Sequence, residues 1–338
     1  MSPMSPSRKR QNIPRSVPLN SRFSGGVKLA LAAALRVHKR YPNVVGISSG
    51  TKFVKGVATE DHAAIHFYVR RKVSKKTSKG RMLPSFIYGR FKNGKINRKV
   101  KFKTDVIEVG RVKKTCGSGM AITGNLGLTR QKGRITLLFK NKAAGDNDFY
   151  VVSCAHVLGD IDGRSKSIVP FLQSGGCCQI ETSFGETLFT ATQVDSEVEF
   201  DIAIGRVDSQ CLPLPDSQIS EDGSVLGSFM PTDQIIPDLP VECTLPVSKA
   251  KTGIVASGRG SIMVEYRRGF YEVQNAWLIK AERRVKEGDS GGLIYKGDVA
   301  IGILFASSDS NDGWAWFHPL GDALDFIRER LSFDLVCF

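Results

Sequence analysis

The sequence Gly288-Asp289-Ser290-Gly291-Gly292 lies between two apolar runs that are typical of strands, Trp277-Leu278-Ile279 and Leu293-Ile294-Tyr295. A serine hydroxyl is a poor nucleophile at neutral pH, so it needs a base for its proton and donors for the oxyanion that forms. Because glycine lacks Cβ, the backbone N–H groups of Gly288 and Ser290 can converge on one point. Gly, Asp and Ser are also the ordinary residues of turns, so a plain hairpin turn is the alternative.

Two other stretches supply the partners that such a serine needs. The β-type run 151–157 contains a histidine, His156, which is the usual general base. The apolar strand-like run 200–204 contains one carboxylate, Asp201, and a buried carboxylate is costly unless it is paired. The chain order His156, Asp201, Ser290 leaves room for part of a β-barrel in each interval. These three residues are therefore the candidate base, orienting acid and nucleophile.

Each of these residues also has a purely structural interpretation. A lone histidine such as His156 is often a satisfied core residue, and Asp201 could cap a turn or pair with Arg206. The neighbouring carboxylates Asp195, Glu197 and Glu199 lie in a polar stretch and are expected to be solvated. The three candidates in order favour the catalytic interpretation.

Residues 115–320 resemble a trypsin-like (chymotrypsin-fold) serine peptidase. The sequence Ser153-Cys154-Ala155-His156 corresponds to the motif around that family's catalytic histidine, and 288–292 match its nucleophile motif. The resemblance implies a mostly β fold, a double six-stranded Greek-key β-barrel with a C-terminal helix. It also implies a catalytic triad of His156, Asp201 and Ser290, an oxyanion hole made by the amides of Gly288 and Ser290, and neither a metal nor another cofactor.

Charge divides the chain into two parts. The net charge is +15, but residues 1–115 contain 28 Lys/Arg against 4 Asp/Glu, and the remainder contains 20 against 29. Residues 1–26 combine prolines with basic residues, which predicts a disordered basic arm. Residues 27–114 are predicted to form a basic α+β domain, with a helix over 28–39 and strands near 44–47, 63–69 and 105–110. This part resembles the N-terminal region of intracellular trypsin-like peptidases.

The protease-like domain is predicted over residues 115–338. Its barrels span about 115–210 and 223–320, and a helix covers 321–332, because short β runs alternate with Gly-rich turns before an amphipathic segment. The runs Gly253–Gly258 and Gly302–Ala306 are predicted strands of the second barrel.

The cysteines indicate a reducing compartment. Their number is odd, one pair is vicinal, no zinc-ligand spacing appears, and no cysteine stands near the nucleophile motif. They are Cys116, Cys154, Cys177, Cys178, Cys211, Cys243 and Cys337. The N-terminus has no apolar core for a signal peptide, and the longest apolar run is too short to span a bilayer. A cytoplasmic protein without membrane attachment is the expectation.

Cleavage specificity has one candidate signal. By the same resemblance, Arg284 lies at the base of the S1 pocket and Ser307 along its wall, and a cation at the base would favour an acidic P1 side chain. The cluster of Arg283, Arg284 and Lys286 could equally be a solvated loop.

Two classes of function follow. The first is an intracellular serine endopeptidase that acts on protein or peptide substrates and is controlled or targeted by its basic N-terminal domain. That domain is expected to bind the phosphates of nucleic acid, or to dock on the acidic protease domain or on an acidic partner and so position or restrain the active site, or else to be only a solubilising surface. The second is a catalytically silent protease fold that serves as a basic binding module.

Overall fold

The computed structural model describes part of the chain. The described residues are 33–34, 40–54, 57–58, 64–73, 82–90, 95–114, 137–141, 149–158, 168–173, 176–184, 197–207, 228–245, 247–266, 269–331 and 335–337. The predicted basic arm over 1–26 and most of the predicted helix over 28–39 lie outside them, although Ala33 and Ala34 are helical.

Strands dominate the described residues. In chain order they are β1 (Val44–Gly50), β2 (Phe53–Val54), β3 (Val57–Ala58), β4 (Ala64–Val69), β5 (Phe86–Arg90), β6 (Ile96–Glu108), β7 (Val112–Lys114), β8 (Leu137–Asn141), β9 (Phe149–Ser153), β10 (Ile168–Gln173), β11 (Gly176–Phe184), β12 (Glu197–Val198), β13 (Ala203–Val207), β14 (Ser228–Phe229), β15 (Pro240–Leu245), β16 (Ala250–Tyr266), β17 (Gly269–Ala281), β18 (Leu293–Lys296), β19 (Val299–Ser308), β20 (Trp314–Pro319) and β21 (Leu335–Cys337). The helices are α1 (Ala155–Leu158) and α2 (Leu320–Leu331), with a 3₁₀ turn at Thr232–Gln234.

The first sheet has the strand order β10-β11-β13-β9-β8-β21. Its β13 and β9 are antiparallel, and Ala203 at the start of β13 is opposite Ser153 at the end of β9. The residues just after β9 and just before β13 therefore meet at one end of this sheet. His156 and Asp201 lie there. β21 follows helix α2 in the chain and pairs with β8, which the sequence did not predict.

The second sheet contains the strands that flank the nucleophile motif. Its main path is β12-β17-β20-β19-β18-β15-β16-β1-β4-β6-β5, and β7 pairs with both β16 and β19. Ser290 precedes β18, which forms an antiparallel pair with β19. One cluster of buried apolar side chains includes residues from both sheets, among them Val152 and Ile204 from the first and Ile303 and Trp316 from the second. The core between the sheets thereby fixes the positions of their ends.

The N-terminal strands join the second sheet. β1 pairs antiparallel with β16, with Gly46 opposite Ile262. The joint is also polar: the buried Tyr68 hydroxyl makes hydrogen bonds to Ser48 (2.5 Å) and to Ser257 (2.7 Å). The predicted boundary at residue 114 coincides with the end of β7. The division into domains stays a prediction.

Helix α2 packs through one apolar face. Leu320, Ala323, Leu324 and Ile327 are buried at helical spacing. Asp322 in its first turn accepts a 2.6 Å hydrogen bond from the Thr232 hydroxyl. The structure confirms the predicted mostly β chain with two β units and a C-terminal helix. The predicted strands around Gly253–Gly258 and Gly302–Ala306 are confirmed as parts of β16 and β19.

Candidate active site

His156 is placed by a helical turn rather than by a strand. The sequence predicted a β run through residue 157, but β9 ends at Ser153 and α1 begins at Ala155. The amide of Val157 donates to the Cys154 carbonyl over 3.0 Å, which closes this turn. The Cys154 thiol in turn donates to the Leu304 carbonyl of the second sheet over 3.2 Å. The turn therefore aims the buried imidazole across the space between the sheets.

Asp201 precedes its strand instead of lying within it. β13 begins at Ala203, so the predicted strand over 200–204 began three residues too early. The carboxylate is fully buried and accepts a hydrogen bond from the His156 amide (3.3 Å). Because the start of β13 lies opposite the end of β9, a carboxylate just before β13 meets the turn that follows β9.

The three predicted catalytic side chains lie together. His156 Nδ1 makes a short hydrogen bond to Asp201 Oδ2, and His156 Nε2 lies 2.8 Å from Ser290 Oγ. Because a carboxylate only accepts, Nδ1–H must donate to it, which leaves Nε2 as the acceptor for the serine proton. All three residues are buried. The arrangement can move a proton from the hydroxyl to the imidazole.

Asp201 is held in its charged form. Burial by itself would raise the pKa of this carboxyl, but the charge of His156 and the hydrogen bonds from His156 and Tyr266 oppose the burial and hold the pKa below its ordinary value. A permanently ionised acceptor next to Nδ1 fixes the tautomer that the proton transfer needs.

Tyr266 is a site residue that the sequence analysis missed. Its hydroxyl, at the end of β16, donates to Asp201 Oδ2 over 2.6 Å, and its ring meets the His156 ring edge-on at 5.8 Å between centroids. Burial, and then the negative charge of Asp201, raises the pKa of Tyr266 well above its ordinary value. The hydroxyl is therefore always a donor. No motif marks this tyrosine in the sequence, since a β-hairpin brings it to the site.

His318 is the second residue that was missed. Its Nε2 accepts from the Asp201 amide over 3.0 Å, so its Nδ1–H donates to the Asn275 carbonyl over 3.2 Å. The ring stacks on Phe305 at 4.2 Å. Burial lowers the pKa of His318 to about 4, although the Asp201 charge acts in the opposite direction. The available sequence signal was an ionisable residue within the apolar run 314–320.

The nucleophile turn is held by the Asp289 carboxylate. This buried side chain accepts hydrogen bonds from the amides of Val247 (2.9 Å), Ser248 (3.2 Å) and Lys286 (3.0 Å). Gly288 has φ +100°, and a Cβ there would lie 2.8 Å from the Val247 side chain. Only glycine fits this conformation without strain. The turn is therefore tied to the 247–248 segment both by hydrogen bonds and by close approach.

The backbone beyond the serine connects the turn to β19. The amide of Gly291 donates to the Leu304 carbonyl (2.8 Å), and the Leu304 amide donates to the Gly292 carbonyl (2.9 Å). Ser290 Oγ lies 3.4 Å from the Phe305 carbonyl, which is a weaker contact than its 2.8 Å approach to His156. The predicted oxyanion donors, the amides of Gly288 and Ser290, flank Asp289 in this turn.

The two predicted S1 residues lie on neighbouring segments. Ser307 is buried in β19, and its hydroxyl contacts the Val285 carbonyl at 3.5 Å. Arg284 is exposed, and its guanidinium donates to the Asn311 side chain over 3.4 Å. Their roles in specificity stay predictions. Within the described part of the chain, no group of three or more His, Cys, Asp and Glu side chains is arranged as metal ligands.

A β sheet that carries the histidine and aspartate, and a second that carries the serine, form the layout of the chymotrypsin-like serine protease fold. Solved structures of that fold match the chain. A glutamic-acid-specific serine protease has 19% identity and a TM-score of 0.41, covering 66% of this chain and 99% of its own. Nocardiopsis protease has 17% identity and a TM-score of 0.39, and the match covers 65% of this chain and 97% of that protease. Cellulomonas bogoriensis chymotrypsin has 15% identity and a TM-score of 0.40, and the match again covers 65% of this chain and 97% of the other. No family model and no curated protein matches.

Proposed function

We propose that the chain is a serine endopeptidase that hydrolyses peptide bonds through His156, Asp201 and Ser290. The observation that carries the proposal is the position of the His156 ring, which is hydrogen-bonded to Asp201 through Nδ1 and lies 2.8 Å from Ser290 Oγ through Nε2. Burying a charged carboxylate, an imidazole and a hydroxyl in one hydrogen-bonded row costs desolvation free energy and has no evident structural benefit. Catalysis is the use that accounts for it.

The reaction has two halves in this proposal. Ser290 Oγ attacks the peptide carbonyl carbon while its proton passes to His156 Nε2, and the same proton then goes to the leaving amine as the C–N bond breaks. A water molecule next gives a proton to His156 Nε2 and attacks the acyl carbon. As the ester C–O bond breaks, that proton passes to Ser290 Oγ, which restores the hydroxyl and releases the carboxylic acid product. Asp201 stabilises the imidazolium in both halves.

The oxyanion that forms in each half needs donors fixed in advance. The amides of Gly288 and Ser290 are the proposed donors, and one such donor contributes on the order of 3 kcal/mol of transition-state stabilisation. The amide contacts of the Asp289 carboxylate support this assignment, because they hold the turn before substrate arrives.

Labelling with a fluorophosphonate tests the proposal. The reagent phosphonylates an activated serine and releases fluoride, so we expect wild-type protein to be labelled and Ser290→Ala and His156→Ala to stay unlabelled. Ser261→Ala is the matched control, because it removes the hydroxyl of another buried serine and should leave labelling intact. Protein that stays unlabelled even in variants that open the site would favour the silent binding module instead.

Finer parts of the proposal concern location and control. We infer a cytoplasmic protein, which is supported by the odd number of cysteines and by the lack of zinc-ligand spacing among them, and which cell fractionation can check. Of the described residues, none forms a helix long and apolar enough to cross a membrane.

The basic N-terminal part is proposed to bind an acidic partner or nucleic acid and so to control the site. Repeating the fluorophosphonate labelling with added nucleic acid, and separately with an acidic polypeptide, shows which of these two ligands changes the labelling rate.

An acidic P1 preference belongs to the same proposal. The exposed guanidinium of Arg284 near Asn311 is available to a carboxylate. The test is to measure the cleavage of peptides that differ only at P1. We expect wild-type protein to prefer Glu or Asp at P1 and Arg284→Ala to lose this preference.

A further inference from the structure

The position of a substrate strand can be deduced from the edges of β19. On one edge β19 pairs with β20, through residues 302–307. Its residues 299–303 pair with β18 and its residues 306–308 pair with β7. Because Gly302 and Ile303 have both β18 and β20 as neighbours, and Ala306 and Ser307 have both β7 and β20, β18 and β7 share the opposite edge.

The nucleophile lies between these two strands on the shared edge. Going along β19, the edge is covered first by β18, then by the nucleophile turn, which is bonded to Leu304, and then by β7. Phe305, whose carbonyl lies 3.4 Å from Ser290 Oγ, directly precedes the part that β7 covers. An extended peptide with a carbonyl at Ser290 would pair with a sheet edge. The edge adjoining Ser290 at Phe305 is the one that β7 occupies.

β7 lies on β19 in the orientation expected of a bound substrate strand, and it is firmly held there. It is antiparallel to β19, with Val112 opposite Ser308 and Lys114 opposite Ala306, so its chain direction runs toward the nucleophile. The amide of Arg111 donates to the Asp309 carboxylate and the Asp309 amide donates to the Arg111 carbonyl, both over 2.9 Å. Val112 is buried in the core.

The other side of β7 is also occupied. Lys113 pairs in parallel with Glu265 of β16, so a second strand could enter only if β7 left. In agreement with a covered site, the side chains of Ser290 and His156 have no exposed surface in this structure. A peptide bond cannot reach the hydroxyl in that state.

We propose that residues 109–114 occupy the place of a substrate strand, so that the basic N-terminal part holds the peptidase in a self-inhibited state. This inference rests on the proposed function. Because the occupant is part of the same chain, it competes at a high effective concentration. Substrate binds only the fraction of molecules in which β7 has left, which raises the apparent KM and leaves kcat at saturation unchanged.

The test weakens β7 in the full-length chain without changing the catalytic residues. Val112→Asp puts a charge into the core, and Val73→Asp is the matched control because Val73 is exposed, with 47% of its surface accessible. Fluorophosphonate labelling and hydrolysis of a quenched-fluorescent denatured protein are measured together. We expect Val112→Asp to be labelled faster and to lower KM about tenfold or more with kcat within about twofold, and Val73→Asp to match the wild type.

The remaining outcomes are also decisive. If Val112→Asp is labelled but hydrolyses with unchanged KM, the self-inhibition is overturned while the proposed function stands. Absence of labelling in every variant and in wild type overturns both. If Val112→Asp does not fold, Val112→Ala takes its place, and a synthetic peptide of residues 109–114 should restore inhibition of that variant, whereas a scrambled peptide should not.

Discussion

Asp201 is surrounded by donors that the rest of the chain brings to it. The amide and imidazole of His156 and the Tyr266 hydroxyl all donate to its carboxylate, while His318 accepts from its amide. These hydrogen bonds hold the Asp201 carboxylate and its backbone in one position. The carboxylate can therefore hold the imidazole of His156 in one orientation.

Replacing Tyr266 by Phe should lower kcat/KM by about 10- to 100-fold, because a hydrogen bond to a charged group contributes about 1.5–3 kcal/mol. The loss should fall mainly on kcat. Without this donor the Asp201 carboxylate loses one of the hydrogen bonds that hold its pKa down and that fix its position beside the imidazole, while the surface that binds substrate is unchanged.

The control for this prediction is Tyr271→Phe. The Tyr271 ring contacts the Tyr266 ring at 5.5 Å, so the variant removes a neighbouring hydroxyl while the ring packing is kept. Equal kcat and equal KM for the two variants would contradict a positioning role for Tyr266.

At this scale the sequence predicted the residues whose chemistry is distinctive. Ser290 and His156 stand in short motifs, and Asp201 is the one carboxylate in an apolar run. Tyr266 and His318 could not be predicted, since each reaches Asp201 across more than 60 residues of chain. A residue whose partner is defined only by strand pairing leaves no local pattern.

Elements that depend on local patterning were predicted, and those that depend on distant pairing were not. Helix α2 and the strands β18 and β19 follow from apolar periodicity. The turn at Ala155 was missed because five of the seven residues from Val151 to Val157 are apolar. β7 and β21 were missed because each is three residues long and is a strand only by virtue of a neighbour far away in sequence.

The joint between β1 and β16 depends on a close approach at Gly260. A Cβ at this position would lie 2.1 Å from the Ile47 carbonyl oxygen, so Gly260→Ala must push the strands apart. We expect it to lower the free energy of unfolding by about 1–3 kcal/mol, measured by urea titration.

Gly258→Ala is the matched control on the same strand. A Cβ there meets its nearest neighbour, the Ser49 carbonyl oxygen, at 3.4 Å, which is an ordinary contact. If both variants unfold at the wild-type urea concentration, β1 does not lie against β16 in solution.

The whole molecule should lose stability in mild acid because it buries neutral histidines. Burial lowers the pKa of both His66 and His318 to about 4, whereas the ordinary value is 6.5. Between these values the unfolded chain binds protons that the folded chain does not. Stability is therefore complete above about pH 6.5 and falls as the pH decreases toward 4, by up to about 3 kcal/mol for each histidine.

Urea unfolding at pH 7 and at pH 4.5 measures this loss. His318→Gln removes one of the two groups, so the difference between the two pH values should be roughly halved for that variant, whatever its stability at pH 7. A wild-type unfolding free energy that is equal at both pH values would show that neither histidine is held neutral.

The amide contacts of Asp289 bear on how such a peptidase would be switched. In zymogens of the trypsin-like peptidases, the family that residues 115–320 resemble, a newly cut N-terminus pairs with the aspartate before the nucleophile. Here the amides of Val247, Ser248 and Lys286 already surround that carboxylate in an uncut chain. Control by departure and return of β7 would need no maturation cut, so one molecule could be turned on and off repeatedly.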